Sequence, residues 1–384
     1  MDVVVNLSRP NSVRIPMGSI YLDQILAPDR NNFALLRLAA SVAVLISHVV
    51  LLSFGMPSSE PLAGVTYYNL GEHAVNVFFV LSGILVTASL DRSSSLAGFA
   101  AARMLRIFPA LIVCVLLIAF VLGPLVSALP VRAYASDANL FEFLWRTMSA
   151  STGAAALPGV FANNPYPLVV DAPIWTLKYE IACYAVLVAL SAAGMFRTAR
   201  RLAIVIAVTW IPIAALLIAD YGRESLPLDH LARFWLCFSF GMVLYRMRDR
   251  VPLSLPLAAL AAFIWWATLG DAAERIVSLL ALGYTVVWLA SLPAGALRTW
   301  TNRTDLSFGI YIFGWPITQT LIWLSPGLPV LPLEAETILI TTAVAYVSWS
   351  LVEQPALAMR AGVVARIEGW RAKSSTADLA RRVH

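Results

Sequence analysis

The sequence is built from a succession of apolar runs, each close to the roughly 20 residues that an α-helix needs to cross a bilayer. Of the 384 residues, 60% are hydrophobic and only 13% are charged, which is not the composition of a soluble domain. We therefore predict an all-α, polytopic integral membrane helical bundle with about ten transmembrane helices. The predicted spans are 33–55, 70–90, 107–129, 172–194, 202–219, 231–247, 253–269, 275–296, 306–324 and 334–357.

The polar joints between these spans predict the orientation of the chain. Joints that would share one side with both chain ends carry 20 of the 27 lysines and arginines, the other side carries 5, and Arg37 and Lys178 lie within spans. By the positive-inside rule, both termini are expected in the cytoplasm. The expected organisation is a cytoplasmic N-terminal segment (1–32), a transmembrane domain (33–357) with a long outer loop (130–171), and a basic cytoplasmic tail (358–384). The outer loop is either an interfacial lid or an ordinary packed loop.

Arg37 and His48 lie in the first span, within the stretch FALLRLAASVAVLISH. They are eleven residues apart, which is three helical turns with about 20° of angular drift, so they share one face. Charged or titratable groups at membrane depth usually face the bundle interior and carry function, and histidine suits proton transfer near neutral pH. We favour a functional pair over the alternative, a hydrogen-bonded histidine with a snorkelling arginine.

Glu180, in the stretch APIWTLKYEIACY, is expected about two turns from the outer end of its span, at a depth similar to that of His48. A carboxylate can fix the tautomer of an imidazole, so the two residues suggest a base and its orienting partner. The alternative is an ion pair between Glu180 and Lys178 or an arginine that holds helices together. Lys178 is only two residues away and so faces elsewhere.

Two further groups of polar or small residues stand out. Arg103 and Arg106 share a helical face at the cytoplasmic end of the third span, where two guanidinium groups suit phosphates. Simple membrane anchoring explains them equally well. Asn76 and Gly83 lie near one face of the second span, where a small residue permits close helix approach and an amide can bond across it.

Metal and nucleic-acid chemistry are not indicated. The three cysteines, Cys114, Cys183 and Cys237, fall in predicted spans without metal-ligand spacing, so we interpret them as small buried residues. The basic isoelectric point follows from the charge asymmetry across the membrane, so we expect no nucleic-acid partner.

The chain resembles the acyltransferase-3 family of membrane acyltransferases across nearly its whole length. The resemblance is carried by Arg37 and His48 with ten residues between them, by VFFVLSGIL, by Arg103 and Arg106 followed by Pro109, by IWTLKYE, and by the late LSFGIYIFGWP and WSLVEQP. Members resembling this pattern move acetyl or other short acyl groups from cytoplasmic acyl-CoA to hydroxyls, mostly of surface or exported carbohydrates. Two departures are Asn76, where many relatives carry an aspartate, and the expected lack of a fused extracellular hydrolase-like domain.

The resemblance implies a role for each candidate residue. His48, Glu180 and Arg37 become catalytic candidates, and Arg103 with Arg106 the candidates for binding the acyl-CoA co-substrate. Candidates for substrate binding lie in or beside the shared motifs: Trp175, Asn76 and Tyr311. The implied partners are acetyl-CoA or another short acyl-CoA, a carbohydrate or glycolipid acceptor and membrane lipid, with no metal, in a bacterial cytoplasmic membrane.

In the mechanism that we expect, acyl-CoA docks its phosphates at the inner mouth and its thioester reaches inward past Arg37. His48 then removes the proton from an acceptor hydroxyl arriving from the outer side as that oxygen attacks the thioester carbonyl. An acyl-histidine intermediate is the alternative route, and it predicts ping-pong kinetics.

Two other classes of protein fit the same topology. A polytopic transporter or flippase for a glycan, lipid or drug also has many helices and intramembrane charges, but the sequence has no inverted repeat of the kind common in transporters. A structural membrane protein would tolerate apolar replacements of Arg37, His48 and Glu180.

Overall fold

A computed structural model describes residues 20–93, 95–151, 156–219 and 227–366. The part of the N-terminal segment before residue 20 and the part of the basic tail beyond residue 366 lie outside these ranges.

The described chain is almost wholly helical. A two-residue antiparallel pair, β1 and β2, joins the start of the described chain to the segment after α9, with Ile20 opposite Leu253. The strands are β1 (Ile20–Tyr21) and β2 (Pro252–Leu253). The α-helices are α1 (Phe33–Phe54), α2 (Leu70–Asp91), α3 (Leu96–Leu117), α4 (Gly123–Val126), α5 (Val131–Ser136), α6 (Ala138–Met148), α7 (Leu177–Ala192), α8 (Ala199–Ala219), α9 (Pro227–Arg246), α10 (Leu255–Ala267), α11 (Glu274–Ala290), α12 (Gly295–Arg303), α13 (Ser307–Leu324), α14 (Val330–Ser348) and α15 (Gln354–Ala358).

Each of the ten predicted spans coincides with a helix, but the helices differ in their capacity to cross a bilayer. Within the described residues, six helices are long and apolar enough to span a membrane, or seven if the sharply bent pair α11 and α12 forms one span. The third span begins at Leu96 instead of residue 107, so Arg103 and Arg106 lie inside α3. The chain is thus a helical membrane protein.

The second span is the most buried of these membrane-capable helices and forms the centre of the bundle. It crosses α9 at two glycines: a Cβ on Gly83 would lie 2.0 Å from the Phe238 carbonyl oxygen, and one on Gly241 would lie 2.1 Å from the Val80 carbonyl oxygen. The expectation that Gly83 permits close helix approach is therefore confirmed. Small residues at such a crossing let two backbones pack directly on each other.

Replacing Gly83 by alanine is expected to destabilise the protein by about 1–3 kcal/mol, because the added methyl group must push α2 and α9 apart. The effect can be measured by denaturant titration of the purified protein in detergent. Gly362→Ala is the matched control, since a Cβ at Gly362 meets no atom within 4 Å. Equal stability of the two variants would contradict this account of the crossing.

Buried ion pairs tie α2, α9 and α11 together. Arg233 of α9 donates to Glu72 of α2 at 2.7 Å, and Arg275 of α11 pairs with Asp229 of α9. Only 2% of each arginine is exposed. Because their partners are distant in the sequence, these arginines could be counted only as positive charges.

Candidate active site

A cavity of about 120 Å³ opens between α1, α2, α3, α7 and α13. Its wall combines three guanidinium groups and a carboxylate with hydroxyls and apolar side chains, the mixed lining that is typical of ligand sites. Five residues singled out from the sequence line it together. The lining residues are Arg37, Val75, Phe78, Phe79, Ser82, Leu85, Val86, Arg103, Arg106, Ile107, Thr176, Leu177, Glu180, Tyr184, Ser307, Phe308 and Tyr311.

An ion-pair network holds two of the arginines. Asp305, in the short segment before α13, accepts from Arg37 at 3.1 Å and from Arg106 at 2.7 Å. Arg106 also approaches Glu353 at 3.4 Å. Burial alone would raise the pKa of Asp305, but Arg106 and Arg37 outweigh it and hold that pKa below its ordinary value. Arg37 and Arg106 are thus largely neutralised by acidic side chains.

A π-helical turn, Trp349–Glu353, ends the last long helix and presents Glu353 to this network. Glu353 is 2% exposed and also accepts from the Ser348 hydroxyl. Such turns widen a helix locally and occur frequently at functional sites. Glu353 was part of the quoted motif WSLVEQP, but its spacing gave no sign that it would pair with Arg106.

Arg103 is held much less tightly than Arg106. Among the described residues, Arg103 donates to the Ser89 hydroxyl at 3.4 Å, and its Nε atom has no hydrogen-bond partner there. Because a guanidinium group offers five donors, most of its bonding capacity remains available to a ligand. Arg103 is therefore the cavity cation best suited to an anionic group.

Glu180 faces the cavity but does not contact His48. Its Oε1 atom accepts from the hydroxyl of Tyr184, one turn further along α7, and lies 3.4 Å from the Ser82 hydroxyl. The Ser82 and Tyr184 hydroxyls are 3.3 Å apart, which closes a three-membered cluster. The suggested pairing of Glu180 with His48 is thus not seen, because the nearby hydroxyls occupy the carboxylate. The cluster places a carboxylate and two hydroxyl groups together at the cavity wall.

His48 lies beside the cavity and does not line it. Its ring packs edge-on against Trp315 of α13, with ring centroids 4.9 Å apart and planes inclined by 76°. Trp315 is one helical turn from Tyr311, which does line the cavity. Adjacent turns of α13 therefore contact His48, through Trp315, and line the cavity, through Tyr311.

The three predicted substrate-binding residues occupy different places. The Tyr311 hydroxyl bonds Thr176 Oγ1 at 2.7 Å and donates to the Pro173 carbonyl at 3.0 Å, at the cavity wall. Trp175 points the other way, into an aromatic cluster with His230 and Phe234. It does not line the cavity, although Phe234 stacks at 4.2 Å on Phe79, which does.

Asn76 is buried within the bundle, only 1% exposed, and does not line the cavity. Its amide has no hydrogen-bond partner within the described residues, so the expected bond across the helix interface is not seen. No group of three metal-ligating side chains comes together in the described chain, and the three cysteines are buried and free.

Several residues of the site were not singled out from the sequence. Asp305 and the hydroxyl groups of Ser82, Tyr184 and Thr176 belong to or contact the cavity wall. The one available signal was Asp305, an acidic residue directly before the apolar motif LSFGIYIFGWP. Hydroxyl residues in apolar helices are too common to be distinguished by spacing alone.

Comparison with known proteins identifies the class of this site. A family model described as an acyltransferase domain matches residues 30–353, which include every residue of the cavity. The chain belongs to the acyltransferase-3 family. No solved structure matches this member of the acyltransferase-3 family.

Two relatives match this acyltransferase over most of its length. Nodulation protein 10 of Rhizobium leguminosarum bv. viciae is 31% identical over 372 residues, which cover 88% of this chain and 96% of the relative. An O-acetyl transferase of Shigella phage Sf6 is 28% identical over 334 residues, which cover 84% of this chain and 95% of the relative. Both names are consistent with a carbohydrate O-acetyltransferase.

Proposed function

We propose that this protein is a membrane O-acyltransferase that moves an acetyl or other short acyl group from cytoplasmic acyl-CoA to a hydroxyl of a cell-envelope or exported glycan or glycolipid. The observation that carries the proposal is the cavity, which brings an incompletely bonded guanidinium and a carboxylate–hydroxyl cluster together in an acyltransferase domain. A related O-acetyl transferase of similar length supports the same reaction.

The donor is proposed to enter from the side of Arg103. A CoA phosphate there would accept charge-assisted hydrogen bonds from the Arg103 guanidinium. Arg106 and Arg37 have a different proposed role, since Asp305 already binds both. They would hold the inner ends of α1, α3 and α13 in place and line the path of the pantetheine arm.

His48 is the proposed general base. As the acceptor oxygen attacks the thioester carbonyl carbon, His48 takes the hydroxyl proton and the C–S bond breaks, so that the CoA thiolate leaves. The proton can return to that thiolate, which balances the reaction. For this step the acceptor would approach near Trp315, between the His48 ring and the cavity wall at Tyr311. Glu180 is the second candidate base, since it lies in the cavity itself.

The proposed topology is ten membrane spans with both termini in the cytoplasm, in a bacterial cytoplasmic membrane. It rests on the coincidence of a helix with every predicted apolar run and on the asymmetric distribution of arginine. It would leave the donor end of the cavity on the cytoplasmic side.

The proposed function can be tested with purified protein in lipid, incubated with acetyl-CoA labelled in its acetyl group and a panel of cell-envelope glycans. We expect label in at least one glycan and release of free CoA in equal amount. Glycan movement across the bilayer without any label transfer would favour a transporter and contradict the proposal.

Replacing Arg103 by alanine is expected to raise the KM for acetyl-CoA about 10- to 100-fold. This factor corresponds to the loss of one hydrogen bond that involves a charged group. The kcat should change much less, because Arg103 would bind a part of the donor that does not react. Steady-state kinetics with varied acetyl-CoA would measure both. Arg92→Ala, which removes an exposed arginine just beyond α2, is the control and should leave the KM unchanged. A similar KM for both variants would exclude Arg103 from donor binding.

A further inference from the structure

Asp171 is a buried acidic residue to which the proposed reaction gives no role. It ends the outer loop, directly before the segment that leads into α7, and is 0% exposed. Neither of its carboxyl oxygens has a hydrogen-bond partner in the part of the chain that the structure describes. Leaving a buried polar group unpaired costs free energy, and such groups in native proteins call for an explanation.

The backbone on both sides of Asp171 is fixed to α13. Two residues before it, the Val169 carbonyl accepts from Trp315 Nε1 at 2.9 Å and from Gln319 Nε2 at 3.1 Å. Two residues after it, the Pro173 carbonyl accepts from the Tyr311 hydroxyl at 3.0 Å. Asp171 is therefore held beside the stretch of α13 that runs from Tyr311 to Trp315, and its position does not depend on a mobile loop.

These anchors place Asp171 at the outer end of the site. Its carboxyl group is within electrostatic range of Tyr311, which lines the cavity, and of Cys114 on α3. Trp315, the other anchor, packs against His48. The segment around Asp171 thus contacts both Tyr311 at the cavity wall and Trp315, which packs on the His48 ring.

The chemistry of a buried carboxyl group suits hydroxyl ligands. Burial raises the pKa of Asp171 well above its ordinary value, which favours the neutral acid. A neutral carboxyl group both donates and accepts hydrogen bonds, so it can pair with two hydroxyl groups at once. Because it carries no charge, it needs no cation beside it. Neighbouring hydroxyls on a sugar ring offer this pair of partners.

We propose that Asp171 binds the acceptor, and that its two oxygens pair with two adjacent hydroxyls of a sugar, one of them next to the hydroxyl that is acylated. The inference rests on the proposed function. It adds that the enzyme recognises the acceptor through two adjacent hydroxyls of one sugar. Access requires the Tyr311 ring to turn away from Pro173 and Thr176, so Tyr311 acts as the gate to Asp171.

The test is Asp171→Ala, which removes both carboxyl oxygens, assayed with labelled acetyl-CoA and the glycan that wild type labels, supplied as its repeating-unit oligosaccharide. We expect kcat/KM for the oligosaccharide to fall about 10- to 100-fold. The KM for acetyl-CoA should stay within about twofold, because the donor binds elsewhere in the cavity. Asp137→Ala is the matched control: it makes the same change in the same loop at a partly exposed residue that caps α6.

A second measurement uses the acceptor as a probe. Wild type should lose a similar factor with an oligosaccharide that lacks the hydroxyl next to the acylated one, and Asp171→Ala should lose little more with it, since the two changes remove one interaction. Asp171→Ala should unfold at the same temperature as wild type or higher, because the substitution removes a buried carboxyl group that has no hydrogen-bond partner among the described residues.

The outcomes separate this inference from the proposed function. If wild type labels no glycan, the proposed function fails, and the inference fails with it. If wild type labels a glycan and Asp171→Ala does so with unchanged kcat/KM, or if only the KM for acetyl-CoA rises, the inference is overturned while the proposed function stands. A variant that has lost its folded state would show a purely structural role and overturn it as well.

Discussion

Replacing His48 by alanine is expected to lower the kcat of acyl transfer about 100- to 10,000-fold, the range associated with loss of a general base. The fold should survive, because His48 contributes a ring contact with Trp315 and no ion pair. The measurement is the initial rate of label transfer from acetyl-CoA to the glycan at saturating concentrations of both. KM for acetyl-CoA should change little, since the donor phosphates would bind at the other end of the cavity.

The control for this variant is Ser53→Ala on the same helix, whose hydroxyl bonds only the Val49 carbonyl one turn earlier. Glu180→Gln supplies the comparison with the second candidate base. If Glu180→Gln stops turnover while His48→Ala retains nearly full activity, the carboxylate is the base and the proposed role of His48 is wrong. If both variants fail and an acyl-enzyme is trapped only when His48 is present, the covalent route applies.

Replacing Asp305 by alanine is expected to destabilise the protein by about 1–3 kcal/mol, because two partly buried arginines each lose a charged hydrogen-bond acceptor. The change would leave both Arg37 and Arg106 with one fewer carboxylate, and only Glu353 would remain beside Arg106. Denaturant titration in detergent would measure the loss. Asp305→Glu should recover part of it, because the charge is retained on a longer side chain.

Asp91→Ala is the matched control for Asp305→Ala. It removes the partner of Arg246 in an ion pair at the surface, with distances of 2.8 and 2.9 Å and with 17% of Arg246 and 31% of Asp91 exposed. Such exposed pairs contribute about 0–1 kcal/mol. If the two variants lose the same stability, the Asp305 network is not a structural centre, and its role must lie in binding alone.

The positions of the helices could be predicted because the bilayer imposes a simple rule. An apolar run of about 20 residues is recognisable in any sequence, and each predicted run coincides with a helix. The same rule drew attention to polar groups that break the runs. Arg37, Arg103, Arg106, Glu180 and Tyr311 were found in this way or through the family motifs, and all five line one cavity.

The partners of those groups could not be predicted, since they come from distant parts of the chain. In the sequence, eleven α-helices lie between Arg37 and Asp305, and no local pattern specifies how those helices are arranged. The expected partner of His48, Glu180, instead binds Tyr184 on its own helix. Helical periodicity gives the face on which a residue lies, but the rotation of each helix within the bundle decides which faces meet.

With the proposed acyl-CoA donor, the carboxylates that bind Arg37 and Arg106 would have a consequence for turnover. CoA carries the same phosphates before and after it gives up its acyl group, so a site that bound them with three free guanidinium groups would retain the product. Asp305 and Glu353 occupy much of the bonding capacity of Arg37 and Arg106. This sharing would weaken the binding of the phosphates, so that free CoA could leave and a new acyl-CoA could enter.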